Sequence, residues 1–236
     1  MGKGKKIGDR TDLLTKDEMH KLFLVVSDNL YFNTLYNLLL HTGRRIGEIY
    51  GTQRGKNYFG GIKVRDVDLI NKTLRTIILK TKKRKLKVLC GSCKLETTYK
   101  NDFCPNCGDR LPQIDKDKLK YDEVEEKIIT LKDNLIILLD KYIKQNKLNQ
   151  SQYLFREYSL VYLKKKIKQH ITQAGIKKKF SLHGFRHYFI TQCKIAGMSN
   201  EDIAKWTGHK NLETLTHYDR RVSKDVENKI LNVELL

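Results

Sequence analysis

Two separated blocks of the chain hold the side chains best suited to chemistry. The first is His41-Thr42-Gly43-Arg44-Arg45-Ile46-Gly47-Glu48-Ile49. The second is His183-Gly184-Phe185-Arg186-His187, followed by Thr207-Gly208-His209-Lys210 and then His217-Tyr218. Guanidinium forks grip oxyanions, imidazoles move protons near neutral pH, and a phenol is a nucleophile once ionised. On a helix His183 and Arg186, three apart, face the same way. His209 sits just after a helix end marked by Gly208, and Tyr218 follows nine residues later. Between the blocks, Lys80 ends a strand and begins a basic turn. Each residue taken singly has a bland reading. One Tyr among 12 is usually a core or surface ring. A His beside Gly is usually a cap or a satisfied core group. Arg44 and Arg45 together read as solvated helix charge, and Glu48 as a structural partner for a neighbouring cation or backbone. His187 and His217 read as supporting groups.

The cysteines form a second constellation. Cys90, Cys93, Cys104 and Cys107 make two Cys-x2-Cys pairs separated by ten residues. Each pair lies at a tight turn, Cys90-Gly91-Ser92-Cys93 and Cys104-Pro105-Asn106-Cys107-Gly108, and such knuckles aim two thiolates at one tetrahedral ion. A structural Zn2+, one per chain, is expected there. A redox pair needs a helix N-terminus in a thioredoxin-like unit, and disulfides suit an exported chain; neither fits this segment. It has no long apolar run, so metal must stand in for a core. Cys193 reads as a small buried hydrophobe inside a helix.

The rest of the composition narrows the class. The 236 residues carry 47 Lys and Arg against 27 Asp and Glu, a formal charge of +20 and a pI near 9.7. A chain this basic meets a polyanion, with nucleic acid ahead of an anionic membrane surface. No basic amphipathic helix with a Trp- or Phe-rich face supports the membrane reading. No run approaches the roughly 18 apolar residues of a membrane span. Met1 to Arg10 has no apolar core, so no secretory signal is expected.

The elements that position these groups are mostly helices. Thr15-Lys16-Asp17-Glu18 is a capping box opening a helix to about Val26. Helices are expected over 30–41, 45–50, 133–147, 160–174, 183–196, from Ser199 to about Gly208, and over 211–218 and 222–233. Residues 51–61 read as a glycine-rich loop. Ile62 to Val67 and Thr73 to Leu79 read as strands joined at Asn71-Lys72, with Lys127 to Leu131 a further strand. Residues 115–126 are densely charged and read as a linker. The fold class is therefore mainly α with a small antiparallel β-sheet, α+β.

The two catalytic-type blocks resemble the tyrosine recombinases, the phage-integrase family. Its first motif, Thr-Gly-x-Arg-x-x-Glu, is matched by Thr42, Gly43, Arg45 and Glu48. Its second, His-x-x-Arg, then Gly-His, then Tyr, is matched by His183, Arg186, Gly208-His209 and Tyr218. The order and spacing agree across residues 13–218, and the embedded zinc ribbon is similar to that of integrases of archaea and their mobile elements. The resemblance implies a tyrosine-recombinase catalytic domain in three parts: 1–89, a zinc ribbon at 90–112, and a linker with the remainder at 113–236. It implies DNA strand transfer through a 3′-phosphotyrosine, with no catalytic metal and no ATP. Arg45 and Arg186 would clamp the non-bridging oxygens, His183 and His209 would hydrogen-bond to the phosphate, and Tyr218 would attack. Lys80 would protonate the leaving 5′-oxygen, with Lys82 and Lys83 as alternatives. The implied partners are double-stranded DNA and further copies of the chain, with no membrane, and the implied location is cytoplasmic at the nucleoid.

Two departures accompany the resemblance. About ten residues, Thr52 to Gly61, are inserted after the Glu48 helix. Only about fourteen residues precede the first catalytic-domain helix, where the family usually carries a core-binding domain, so a catalytic domain alone or a minimal enzyme is expected. Two other functions remain open from sequence: type IB topoisomerase-like nicking and relaxation, and a DNA-binding regulator without catalysis.

Overall fold

A computed structural model describes residues 12–54, 57–83, 87–98, 102–113, 120–209, 212, 213 and 215. The chain divides into two compact units, Met1–Ile77 with Lys127–Leu236, and Ile78–Glu126. The expected fold class holds: helices dominate and the sheets are small.

In the first unit, α1 (Lys16–Val25) opens on the capping box. Thr15 Oγ1 accepts the Glu18 N–H at 3.1 Å, and the Glu18 carboxylate accepts the Thr15 N–H at 2.7 Å. The next helix, α2 (Leu30–Thr42), is the centre of the core. Leu35, Tyr36, Leu38 and Leu39 are all fully buried, so apolar residues surround it as in an interior helix. Burial stabilises each such side chain by about 1.5–3 kcal/mol. It packs on α4 (Asp133–Gln145) and α6 (Gly184–Ile195), while α1 packs on α5 (Leu160–Gln173) and α6 on α7 (Asn200–Thr207). Tyr31 meets Phe32, Tyr142, Phe155 and Tyr158 edge-on, with centroids 4.9–6.2 Å apart. A second cluster of Ile190, Ile203, Ala204 and Leu215, with Cys193 packed against it, joins α6 to α7. Short α3 (Ile46–Ile49) follows α2.

Three expectations change. Residues 51–61 hold a hairpin, β1 (Thr52–Arg54) on β2 (Asn57–Phe59), antiparallel with Thr52 opposite Phe59. Gly51, Gly60 and Gly61, part of what made the segment read as loop, flank it at positive φ. Over 62–67 a 3-10 turn at Val64–Asp66 replaces most of the strand, leaving β3 (Val67–Asp68). The Asp66 carboxylate accepts the Lys63 N–H at 2.9 Å, and such a local bond competes with a sheet ladder. The charged 120–126 stretch is not a linker: it begins β7 (Lys120–Thr130), hydrogen-bonded to β4 (Thr73–Lys83) in the order β3-β4-β7. Ladder bonds are made by the backbone, so a charged sequence can form them. Glu213 and Leu215 are helical; the rest of 211–218 bar Leu212, and all of 222–233, lie outside the described residues.

One core pair is titratable. Tyr36 Oη and His170 Nδ1 are 3.0 Å apart and buried, and burial, with Lys166 beside it, lowers the His170 pKa. The unfolded chain therefore takes up a proton at a pH where the native His170 does not. Its stabilising contribution is full above about pH 6.5 and declines below it. His41, His183 and His209 are shifted the same way, all chiefly by burial. Urea denaturation should show stability falling as the pH drops from about 7.5 to about 5. A flat profile over that range would contradict neutral, buried histidines.

Candidate functional site

The first block sits where α2 stops. The Thr42 hydroxyl donates to the Leu38 carbonyl at 2.6 Å. Gly43 then ends the helix at φ 62°. A Cβ at Gly43 would lie 2.4 Å from the Phe189 ring, so both backbone sign and space demand glycine. The chain turns, and Arg45 becomes the residue preceding α3. Glu48 holds it twice: its carboxylate accepts the Arg45 N–H at 3.0 Å and Arg45 Nη1 at 2.9 Å. The Arg45 side chain remains 41% exposed, so it is oriented yet open to a ligand.

The second block approaches from α6 and the end of α7. His183 precedes α6, and its ring meets His187 edge-on at 4.6 Å. Arg186 is 1% exposed. Its Nη1 donates to the Gly43 carbonyl and its Nη2 to the Thr207 carbonyl, both at 2.9 Å. Nη2 also lies 3.2 Å from His209 Nε2 and 3.3 Å from its Nδ1. The Trp206 indole N–H donates to the Thr42 carbonyl at 3.0 Å, and its ring stacks on Phe189. Gly208 reverses the chain at φ 75°, presenting His209.

These groups share one electrostatic environment. Burial pushes the His183 pKa down to about 4, with His187, Arg186 and Arg45 adding to the effect. Burial likewise takes His209 to about 4, reinforced by Arg186, Arg45, His183 and His187. Both imidazoles are therefore neutral at pH 7 and able to accept a proton. Arg45, His183, Arg186 and His209 thus meet although they come from three separated stretches. Lys80 lies in β4 within the second unit. Tyr218 and His217 lie outside the described residues.

Sequence reasoning missed three features. Trp206 was read only as helix, and Thr207 was placed in the second block without a role, yet both bond into the site. Arg44 is not solvated charge: it is fully buried, and Nε, Nη1 and Nη2 have no hydrogen-bond partner among the described residues. Burial lowers its pKa, Glu48 opposes that, and Arg45 adds to it. A sequence signal existed for Thr207, since a hydroxyl two residues before His209 is within easy reach of the ring. None marked Arg44, because an adjacent arginine pair does not reveal which member points inward.

The second unit holds the four cysteines. Their Sγ atoms all lie within 4.8 Å of one another, with Cys90–Cys107 at 3.5 Å and Cys93–Cys104 at 3.7 Å. Zn–S bonds of about 2.3 Å in a tetrahedron put sulfurs about 3.8 Å apart, so the set fits one such ion. The two knuckles repeat one hydrogen-bond pattern. The Lys94 N–H donates to the Cys90 carbonyl at 3.1 Å, and the Gly108 N–H to that of Cys104 at 3.0 Å. Cys90 N–H donates to Leu95 O and Cys104 N–H to Asp109 O. The backbone N–H groups of Cys93 and Ser92 lower the Cys90 pKa, which favours the thiolate a metal needs. Cys90, Cys104 and Leu111 form a small buried cluster there.

The comparisons with known proteins agree with this geometry. Residues 119–224 match the model of the phage integrase family. The matched segment, just under half of the chain, is similar to that family. It contains His183, Arg186, His209 and Tyr218, whereas the Arg45 block precedes it. The fold is similar to that of XerA recombinase, with a TM-score of 0.61 at 18% identity over 92% of this chain and 64% of that one. The Tn1549 transposon integrase, in complex with a circular intermediate DNA, gives 0.58 at 16% identity over 91% of this chain and 63% of that one. The catalytic domain of bacteriophage HP1 integrase gives 0.53 at 14% identity, over 95% and 96%. The chain thus spans less than two thirds of the XerA and Tn1549 chains. No curated protein matches the sequence significantly. Among the described residues no helix is long and apolar enough to cross a membrane.

Arg44 yields a stability test. A buried guanidinium without a hydrogen-bond partner among the described residues is costly even with Glu48 acting on it, and an apolar side chain of similar length removes that cost. Arg44→Met should therefore stabilise the DNA-free protein by about 1–4 kcal/mol, read from urea denaturation. A lowered midpoint would show that Arg44 is compensated in the folded protein.

Proposed function

We propose that the chain is the catalytic part of a site-specific DNA recombinase that cleaves and rejoins strands through a 3′-phosphotyrosine. The convergence of Arg45, His183, Arg186 and His209 supports this reading most directly. Two guanidinium groups and two neutral imidazoles around one point form an oxyanion site for a phosphodiester. In the proposed step the Tyr218 phenolic oxygen forms a bond to phosphorus and the bond to the 5′-oxygen breaks. His183, neutral at pH 7, accepts the phenolic proton, and Lys80 supplies one to the departing 5′-oxygen. Arg45 and Arg186 meet the charge on the non-bridging oxygens. The phosphotyrosine ester conserves the bond energy, so rejoining reverses the step without ATP. Double-stranded DNA is the proposed substrate, in keeping with the charge of +20, and copies of the chain pair on it. A protein acting on cellular DNA works in the cytoplasm, at the nucleoid.

Cys90, Cys93, Cys104 and Cys107 are proposed to hold one Zn2+ per chain. It would tie the two knuckles together structurally, where the only other buried neighbour in that cluster among the described residues is Leu111. The three-part division at 1–89, 90–112 and 113–236 is retained as a proposal for this module.

Tyr218→Phe removes the nucleophile and keeps the ring. A nicked suicide duplex should trap a covalent adduct with the native chain and none with this variant, while duplex binding stays near native. An adduct that persists in Tyr218→Phe would remove Tyr218 from the role.

Elemental analysis should find about one zinc per chain. Chelation should raise amide exchange within 90–107 and leave the helical circular dichroism of the first unit in place. Protein purified under reducing conditions with no zinc and four freely titrating thiols would exclude the assignment.

A further inference from the structure

Thr207 Oγ1 stands between two groups, 2.5 Å from the Ile203 carbonyl oxygen and 2.6 Å from His209 Nδ1. A hydroxyl has one proton to give. Were it given to His209, two oxygens bearing only lone pairs would face each other at 2.5 Å. The proton therefore goes to Ile203, the back-bond to the fourth residue behind that helical threonines often make. Oγ1 is then left as an acceptor, and Nδ1 must carry the hydrogen it accepts. A neutral imidazole has one N–H, so Nε2 is bare. Arg186 Nη2 lies 3.3 Å from Nδ1 and 3.2 Å from Nε2, so the distances alone do not choose between them; with Nδ1 protonated, only Nε2 can accept from it.

We propose that Thr207 is a positioning residue: it fixes His209 as the Nδ1–H tautomer, so that Nε2 faces the reacting phosphate and gains its proton together with the substrate. The second half rests on the recombinase reading above. A phosphodiester oxygen offers only lone pairs, so a bare Nε2 meets it unfavourably until protonated. In the free protein the groups acting on His209 are Arg186, His183 and His187 from α6, and Arg45 from the turn before α3. These are cations, or become cations on protonation, and they oppose charge on the ring. An incoming phosphodiester brings a negative charge into the same space and reverses that balance. The imidazole takes one proton from solvent, becomes an imidazolium, and donates from Nε2 to a non-bridging oxygen; no covalent bond between heavy atoms changes.

The test is nitrogen NMR of the free full chain with labelled histidine. Native His209 should show a pyrrole-type Nδ1 and a pyridine-type Nε2. Thr207→Val keeps the side-chain shape and cannot accept a hydrogen bond, so it should lose that signature; Thr207→Ser should restore it. Single-turnover cleavage of the nicked duplex gives the second readout. The native rate should fall at high pH as Nε2 loses its proton, Thr207→Ser should behave alike, and Thr207→Val should lose this basic limb. A native His209 protonated at Nε2, or a Thr207→Val protein with native tautomer and native basic limb, overturns the proposal. If Thr207→Val does not fold, the native tautomer and the Ser variant decide. If the native chain cleaves no DNA, the recombinase reading fails, while the tautomer of the free chain still decides the role of Thr207.

Discussion

Arg186 is a cation held inside the protein before any substrate arrives. At 1% exposure it has lost nearly all its water, and a desolvated guanidinium must find fixed acceptors. It finds them in the carbonyls of Gly43 and Thr207. Those carbonyls end α2 and α7, so satisfying one charge fastens two helix ends to α6. The bond from Trp206 to Thr42 and the stacking of Trp206 on Phe189 repeat the fastening. Gly43 must stay without a side chain because Phe189 fills the space beside it. The position of Arg45, two residues further on, follows from this joint, and Glu48 sets its direction.

The electrostatic state of the site follows from the same packing. Two arginines and two partly buried histidines in one place cannot all be charged without an anion. The arginines stay protonated and the imidazoles yield, which leaves neutral bases beside fixed cations. Such an arrangement is preorganised for an oxyanion, since the donors need not reorganise when charge develops. Glu48 balances Arg45 only partly, as an acceptor that orients it. Arg44, buried nearby with no hydrogen-bond partner for its guanidinium among the described residues, adds a cost that the large apolar core around α2 must carry.

The second unit solves its stability problem differently. Among the described residues its buried cluster consists of two cysteines and one leucine, too little apolar surface for an independent core. Four thiols within 4.8 Å of one another could hold one metal ion in place of such a core. The two knuckles are equivalent down to their backbone bonds, and each needs a left-handed residue at the same position. Gly108 takes it at φ 76°, and Lys94 takes it at φ 57°. A lysine there is strained by roughly 1 kcal/mol, a cost that a bound metal ion would offset.

Local chemistry alone determined a good part of this protein. The Thr15 capping box, the Leu-rich α2 and its Gly43 stop, the Gly208 stop and the paired cysteine knuckles are all set by neighbours in the chain, and all were legible. So was the resemblance to the phage integrase family, because the motif residues keep fixed spacings. Where a local bond and a pattern disagreed, the local bond prevailed: Asp66 capping Lys63 turned an expected strand into a 3-10 turn. Charge misled at 120–126, because strand pairing is a backbone property that side-chain charge does not forbid. Which of two adjacent arginines is buried, which carbonyls receive Arg186, and which nitrogen of His209 bears the proton depend on groups far away in sequence. Only the packing of α2, α6 and α7 brings those groups within 3 Å or so of each other, and no spacing rule along the chain contains that distance.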